Sequence, residues 1–259
     1  MILNFSKYQG TGNNFVMVDN RTKTFPNGNT DIISYLCDRN FGIGADGVIL
    51  IENDIEADFR MIYYNPDGTE TMCGNGGRCA VAFARDLGII KNQTIFNAFD
   101  GLHFASINEE DISLQMIDVG AIQNHDDYYF LNTGTPHHVE LVDDLTDYPV
   151  FTRGKELRYH LYGEQGSNIN FVEQKDSDTF RVRTYEKGVE NETLACGTGV
   201  TAVAIAMHHS GKTMADTIKL PVEGGILKVS FDFSDGQYSN VFLIGPAEFI
   251  FKGSIELNL

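Results

Sequence analysis

The sequence predicts an α/β (α+β) protein of two pseudo-symmetric halves, each a curved mixed or antiparallel sheet wrapped around a central helix. Three observations predict it. The 259-residue chain repeats its own glycine-centred signals once. Each repeat carries short strands rich in β-branched and aromatic residues. Each also carries one stretch that is apolar almost all round, and a helix of that composition has to be buried.

The repeat is read from glycines and their neighbours, and glycine is plentiful at 26 of 259 residues. Gly12 in GTGNNFVMVD answers Gly134 in NTGTPHHVELVD. Leu50-Ile51-Glu52 answers Phe171-Val172-Glu173, and Phe59-Arg60-Met61 answers Phe180-Arg181-Val182. Cys73-Gly74-Asn75-Gly76 answers Cys196-Gly197-Thr198-Gly199, Gly88 answers Gly211, and Gly101-Leu102 answers Gly225-Ile226. Six pairs in one order at an almost constant offset read as an internal duplication. Its units run over 1–119 and 120–247. The tail 248–259, with its FIFKGSIEL, is expected to return as a strand to the first half. No Pro/Gly/Ser linker separates the halves, which are expected to pack face to face.

Along the first unit FVMVD, GVILIE, FRMIYY and TIFNAF are expected strands. DIISYLCDR, after Thr30, is an amphipathic helix with a polar cap. Residues 75–87 (NGGRCAVAFARDL) and 198–210 (TGVTAVAIAMHHS) are the two central helices, stopping at Gly88 and Gly211. Asn14 reads as a turn residue, and Asn65 before Pro-Asp-Gly is a turn candidate on its local sequence alone. His208 and His209 read as C-terminal helix residues. The acidic stretches Glu109-Glu110-Asp111, Asp126-Asp127 and Asp143-Asp144 read as solvated loops.

Composition narrows the function. Nineteen Lys and Arg against 36 Asp and Glu leave a net charge of −17. Such a surface repels phosphate backbones, so no nucleic acid and no anionic membrane is expected as a partner. No apolar run approaches the ~20 residues of a membrane helix, and the first residues do not read as a signal peptide. Four cysteines form no disulfide framework. The expectation is a soluble cytoplasmic protein with reduced thiols.

Two of those cysteines carry the chemistry. Cys73 and Cys196 each precede a Gly-x-Gly that opens a buried helix. A helix start presents N–H groups to an anion. Its dipole favours thiolate over thiol. Glycine lets the backbone approach a ligand. Duplication supplies the arrangement twice, and packing the halves is expected to set the two thiols on opposite sides of one cleft. Two acid/base groups facing each other suit inversion of a stereocentre, one removing a proton from carbon and the other returning it on the opposite face. The charge that develops on an amino-acid Cα spreads onto its carboxylate, which helix N-termini stabilise. A thiol with an unperturbed pKa of about 8.5 is tunable to this task. Cys37, on the amphipathic helix, and Cys79, inside the central helix with Ala202 as its counterpart, read as small buried apolar residues.

These motifs resemble diaminopimelate epimerase, a cofactor-independent amino-acid epimerase family. NPDGTETMCGNGGRCAVAFA (65–84) is similar to the family's first cysteine block, and YEKGVENETLACGTGVTAVA (185–204) to its second. KYQGTGNNFVMVD, GTPHHV and NINFV fit as well, so the resemblance spans nearly the whole chain. It implies catalytic acid/base roles for Cys73 and Cys196, with His137 beside them in support. It implies substrate hydrogen bonds from Asn13, Asn65 and Asn170. It implies an α-carboxylate cradle of Gly74, Asn75, Gly197 and Thr198, with Glu186 holding the α-amino group. It further implies a small-molecule amino-acid substrate, no metal, no pyridoxal phosphate or other cofactor, closure on substrate and a homodimer in the cytoplasm.

The chain departs from the family pattern twice. Thr135 stands where the family usually has Asn, and Lys187 where it usually has Arg. A hydroxyl does not replace an amide's separate donor and acceptor, and an ammonium does not replace a guanidinium fork. Both positions bear on the far end of the substrate, so a racemase for a different amino acid remains the alternative. Proline-racemase relatives usually carry Cys-Gly-His-Gly at the first site, which Asn75 opposes. A relative of the fold that works without cysteine chemistry is a further reading, excluded if the thiols act. A thiol- or metal-sensing protein is the remote one, and Cys73 and Cys79 lack the spacing of a CxxC metal pair.

Overall fold

The structure is a computed structural model that describes residues 1–257; positions 258 and 259 of the returning tail lie outside the described residues. In chain order the elements are β1 (Ile2–Gly10), β2 (Asn13–Asp19), α1 (Thr30–Cys37), β3 (Gly47–Glu52), β4 (Phe59–Tyr64), β5 (Glu70–Thr71), α2 (Gly74–Asp86), β6 (Gln93–Ala98), β7 (Gly101–Asn108) and β8 (Asp111–Gln115). There follow β9 (Ile122–Asn124), β10 (Tyr128–Asn132), β11 (Pro136–Leu141), α3 (Val150–His160), β12 (Asn168–Gln174), β13 (Phe180–Glu186), β14 (Asn191–Thr193), α4 (Gly197–His209), β15 (Thr217–Val222), β16 (Gly225–Ser234), β17 (Gln237–Pro246) and β18 (Glu248–Glu256). The fold is mixed α/β, rich in strands and poor in helices. Two compact units contain it, Met1–Leu114 with Gly245–Leu259, and Gln115–Ile244.

In the first unit the strand order is β18-β1-β2-β3-β4-β6-β7-β8, with β5 on β4. Most neighbours are antiparallel. The exceptions are β2–β3 and β4–β6, which run parallel. Parallel neighbours need a crossover, which a helix supplies: α1 lies between β2 and β3, and α2 between β4 and β6. The side chain of Asn29 caps α1 by accepting from the Ile32 N–H at 3.2 Å. The buried Ile33 and Leu36 set its inner face. Helix α2 packs against β1, β2, β3 and β4. Its residues Asn75–Ala84 are all buried. The stretch reads as small and apolar, yet Arg78 is among them and is fully buried.

The second unit repeats the plan. One sheet has the order β14-β13-β12-β11-β10-β9, and β15, β16 and β17 follow as antiparallel neighbours. Again β11 and β12 are parallel with a helix, α3, between them. Again a helix, α4, lies between β13 and β15, which approach in parallel through Thr179 and Lys219. Helix α4 packs against β10, β11, β12, β13, β15 and β16. Its core runs from Val200 to Met207 and meets Phe180, Val182, Leu220 and Val229.

The returning strand is β18, antiparallel to β1. Asn14 is a correction to its reading as a turn residue. The turn is Thr11–Gly12, with φ of 52° and 90°, a two-residue hairpin loop of the I′ kind. Asn14 is already in β2, opposite Gln9, and its N–H donates to Asp46 Oδ2 at 2.9 Å. Phe99 likewise falls just beyond β6, in the turn to β7. No helix among the described residues is long and apolar enough to cross a membrane.

Phe180 is fully buried in the core around α4. Phe180→Ala is expected to lower the stability of that unit by about 3–5 kcal/mol, read from guanidinium titrations followed by circular dichroism.

Candidate functional site

Each key cysteine sits where a strand hands over to a buried helix. Cys73 is the N-cap of α2 with φ −133° and ψ 120°, and Cys196 is the N-cap of α4 with φ −125° and ψ 109°. The two backbones match closely. Neither thiol caps its helix. The first helical bonds run from Gly77 N–H to Cys73 O at 2.7 Å and from Val200 N–H to Cys196 O at 3.0 Å. Upstream of those bonds the helical ladder offers no carbonyl, so the first-turn amides point out of the helix end, where an anion is stabilised. Cys73 is half-buried and Cys196 is buried. Cys37 and Cys79 are buried inside the first unit. Burial pushes the Cys37 thiol up to about 12 and raises that of Cys79 as well, so both stay protonated.

In the first unit the Thr11–Gly12 hairpin delivers Asn13 to the start of α2. Asn75 Nδ2 donates to Asn13 Oδ1 at 2.5 Å, and Asn13 Nδ2 reaches Asp46 Oδ2 at 3.4 Å. Asn65 is a turn residue, as Gly68 N–H to Asn65 O at 2.9 Å shows. Its side chain is not loose. Tyr63 Oη donates to Asn65 Oδ1 at 2.9 Å, and Asn65 Nδ2 donates to Thr71 Oγ1 at 3.0 Å. Asn13, Asn65 and Asn75 thus belong to one polar cluster tied by Asp46 and Tyr63. Sequence reasoning did not single out Asp46, Tyr63 or Arg78. Arg78 Nη2 donates to Asn75 Oδ1 at 3.0 Å and to Thr11 Oγ1 at 2.9 Å.

In the second unit His137 lies on β11, fully buried. Asn170 Nδ2 stands 3.1 Å from His137 Nδ1 and donates to His138 O at 2.8 Å. An amide nitrogen only donates, so His137 Nδ1 accepts and the ring proton sits on Nε2. Burial lowers the His137 pKa to about 3, which keeps the ring neutral. Its Nε2–H is buried without a protein partner, a donor held ready. Thr184 Oγ1 donates to Asn170 Oδ1 at 2.9 Å, fixing the amide from the other side. Thr198 Oγ1 lies 3.5 Å from Cys196 Sγ, and Thr133 Oγ1 donates to Thr198 O at 2.8 Å. A Cβ on Gly199 would meet Asn170 Oδ1 at 2.5 Å and Cys196 Sγ at 3.3 Å. His137, Asn170, Cys196 and Thr198 are therefore neighbours, and Gly199 is there because nothing larger fits. Glu186 ends β13 and accepts from Thr193 Oγ1 at 2.9 Å. Lys187 is exposed, its backbone N–H held by Asn168 Oδ1 at 2.8 Å.

A model of the family described as "Diaminopimelate epimerase" matches residues 5–123 and 129–250. The chain belongs to the diaminopimelate epimerase family. It is an isomerase of the epimerase type. A diaminopimelate epimerase of Flavobacterium psychrophilum is 59% identical over 252 residues, covering 96% of this chain and 98% of that protein. One of Chlorobaculum tepidum is 39% identical over 264 residues, covering 96% and 99%. Among solved structures, a PhzF-family phenazine biosynthesis protein of Bacillus anthracis superposes with a TM-score of 0.78 at 15% identity, covering 99% of this chain and 100% of that chain. A hydroxyproline epimerase of Agrobacterium vitis superposes with a TM-score of 0.70 at 15% identity, covering 98% and 92%. These two share the fold. The epimerase family was legible in the sequence because its two cysteine blocks are local strings.

His137 is expected to stay a neutral Nε2–H tautomer from pH 8 down to pH 5, in ¹⁵N-detected NMR. Gly199→Ala is expected to displace Asn170 and shift the His137 ring signals. Unshifted signals in a folded variant would remove Gly199 from this cluster.

Proposed function

We propose that this chain interconverts LL- and meso-diaminopimelate by proton transfer between two thiols and one Cα. The observation that carries the reading is the twin geometry of Cys73 and Cys196, each the N-cap of a buried helix with nearly the same backbone dihedrals. One residue enters as thiolate and takes the Cα proton. The electron pair left on carbon delocalises into the α-carboxylate. The other residue, a thiol, returns its proton to the opposite face, and the two sulfurs have exchanged protonation states. The balance closes with no cofactor, metal or pyridoxal phosphate.

The remaining roles follow the same reading. Gly74, Asn75, Gly197 and Thr198 cradle the α-carboxylate with backbone N–H groups, whose fixed orientation stabilises the carbanionic state. Glu186 binds the α-amino group. Asn13, Asn65 and Asn170 hydrogen-bond the substrate, Lys187 serves the far end, and the neutral His137 donates its Nε2–H in support of the thiols. The two units are read as a duplicated pair, 1–119 joined by 248–259, and 120–247. The enzyme works on a small amino acid in the cytoplasm, as a homodimer, in lysine and peptidoglycan-precursor biosynthesis.

Thr135 and Lys187 favour a second reading, a racemase for another amino acid with the same two-thiol chemistry. Deuterium incorporation at Cα separates the two. Reduced enzyme in D₂O with a pool of amino acids is expected to label diaminopimelate alone. Label in a different amino acid moves the assignment to the second reading, and label in none, with folded protein, overturns both.

Cys73→Ala and Cys196→Ala are each expected to abolish epimerisation, at least 10³-fold below wild type, since an acid/base group typically contributes 10²–10⁴. Normal turnover by either variant would sink the mechanism. Glu186→Gln is expected to raise KM for the amino acid with the circular dichroism spectrum unchanged.

A further inference from the structure

The two thiols have matching backbones but unequal electrostatic surroundings. Five residues after Cys73 stands Arg78, and five residues after Cys196 stands Thr201. Thr201 spends its hydroxyl on Gly197 O at 2.9 Å and carries no charge. Arg78 has no exposed surface at all. A side chain on a helix leans toward the N-terminus, and Arg78 does so. Its Nη2 lies against Asn75, in the first turn of α2, and against Thr11. Its Nε and Nη1 are buried with no hydrogen-bond partner. A cation taken out of water with two of its three nitrogens unmatched needs a negative charge nearby.

The groups whose ionised forms would favour the Arg78 cation are Cys79, Cys73 and Asp111, in that order, while burial draws the guanidinium down to about 10. Cys79 is fully buried, and burial raises its pKa so far that it stays a thiol. Asp111, at the start of β8, is the weakest of the three. Cys73 is half-buried at the start of the same helix, and its ionised form is the one that the buried cation would favour. The other titratable groups around α2 are engaged elsewhere. Lys7 donates to Gly44 O, and Tyr8 donates to Asp86 Oδ2 at 2.5 Å, at the far end of the helix. Glu52 accepts from Asn20 at 2.6 Å, and Asp46 pairs with Arg39 at 2.8 Å. Around α4 His137 is neutral, Glu186 accepts from Thr193, and Arg183 is paired with Glu192 at 2.6 Å.

The geometry points to Arg78 as a positioning residue that holds Cys73 as the thiolate of the resting enzyme and leaves Cys196 as the resting thiol. This rests on the two-thiol reading above. The duplicated scaffold alone gives two equivalent thiols, and the Arg78/Thr201 difference selects which of them starts ionised. In the direction where Cys73 is the base, the enzyme meets its substrate already in the competent state.

The experiment is the pH dependence of iodoacetamide alkylation, with each cysteine followed in its own peptide by mass spectrometry at low conversion. In wild-type protein the midpoint for Cys73 is expected at least one pH unit below that for Cys196. Arg78→Met is expected to raise the Cys73 midpoint by about one unit, a tenfold loss of thiolate well below the midpoint, with the Cys196 midpoint unmoved. Arg78→Lys is expected to restore most of the difference. The proposal is overturned if Cys196 has the lower midpoint in wild type, a comparison that needs no folded variant. It is also overturned if folded Arg78→Met leaves Cys73 unchanged, or if it moves both thiols alike. Failure of the two-thiol reading shows separately, as normal epimerisation by Cys73→Ala or Cys196→Ala, and the alkylation midpoints do not depend on turnover.

Discussion

A helix without a polar face is stable only when covered on every side, and that requirement organises this protein. Burying α2 and α4 removes their flanks from water but does nothing for the amides of their first turns, which no helical carbonyl can reach. The two polar ends thereby become fixed, water-poor donors. The surrounding sheets exist to cover the flanks, and the cysteines sit at the one part of each helix that burial does not finish. Site and core are consequences of the same packing.

The parts of the molecule that come from local strings are readable in the sequence. FVMVD, GVILIE and FRMIYY are strands because β-branched and aromatic residues suit a pleated, covered surface, and β2, β3 and β4 lie where those strings lie. The central helices and the tail's return as a strand were equally plain, as was the family; its pairing with β1 is seen only in the fold. What remained hidden depends on partners distant in sequence. Arg78 looked like one charge in an apolar stretch, and nothing local says that its guanidinium folds back to Thr11, 67 residues away. His137 was named through resemblance alone. Its tautomer follows from Asn170, 33 residues on. Asn14 was misplaced because Gly-Asn pairs usually signal a turn, whereas here Thr11 takes the left-handed position one step earlier.

The two units share a plan down to the dihedral angles of their N-cap cysteines, yet their polar furniture differs. The first surrounds its helix start with an asparagine cluster and a buried arginine. The second uses a neutral histidine, an asparagine and threonines. Duplication gives a protein two copies of a backbone; divergence of the side chains gives each copy its own polar surroundings. An enzyme that inverts a centre benefits from both, because the geometry must be alike on the two faces while the protonation states must be unlike.

The pairing of β18 with β1 has a consequence for how the chain comes into being. Leu257 N–H donates to Met1 O at 2.7 Å, and the amino terminus of Met1 donates back to Leu257 O at 2.7 Å, so the two ends of the described chain close on each other. The second unit is one continuous segment and is whole once Ile244 has been made. The first unit is built from two segments that flank the second in the chain. Until β18 emerges from the ribosome, β1 is an open sheet edge of the kind that invites pairing with a stranger. The half synthesised first is therefore the half completed last.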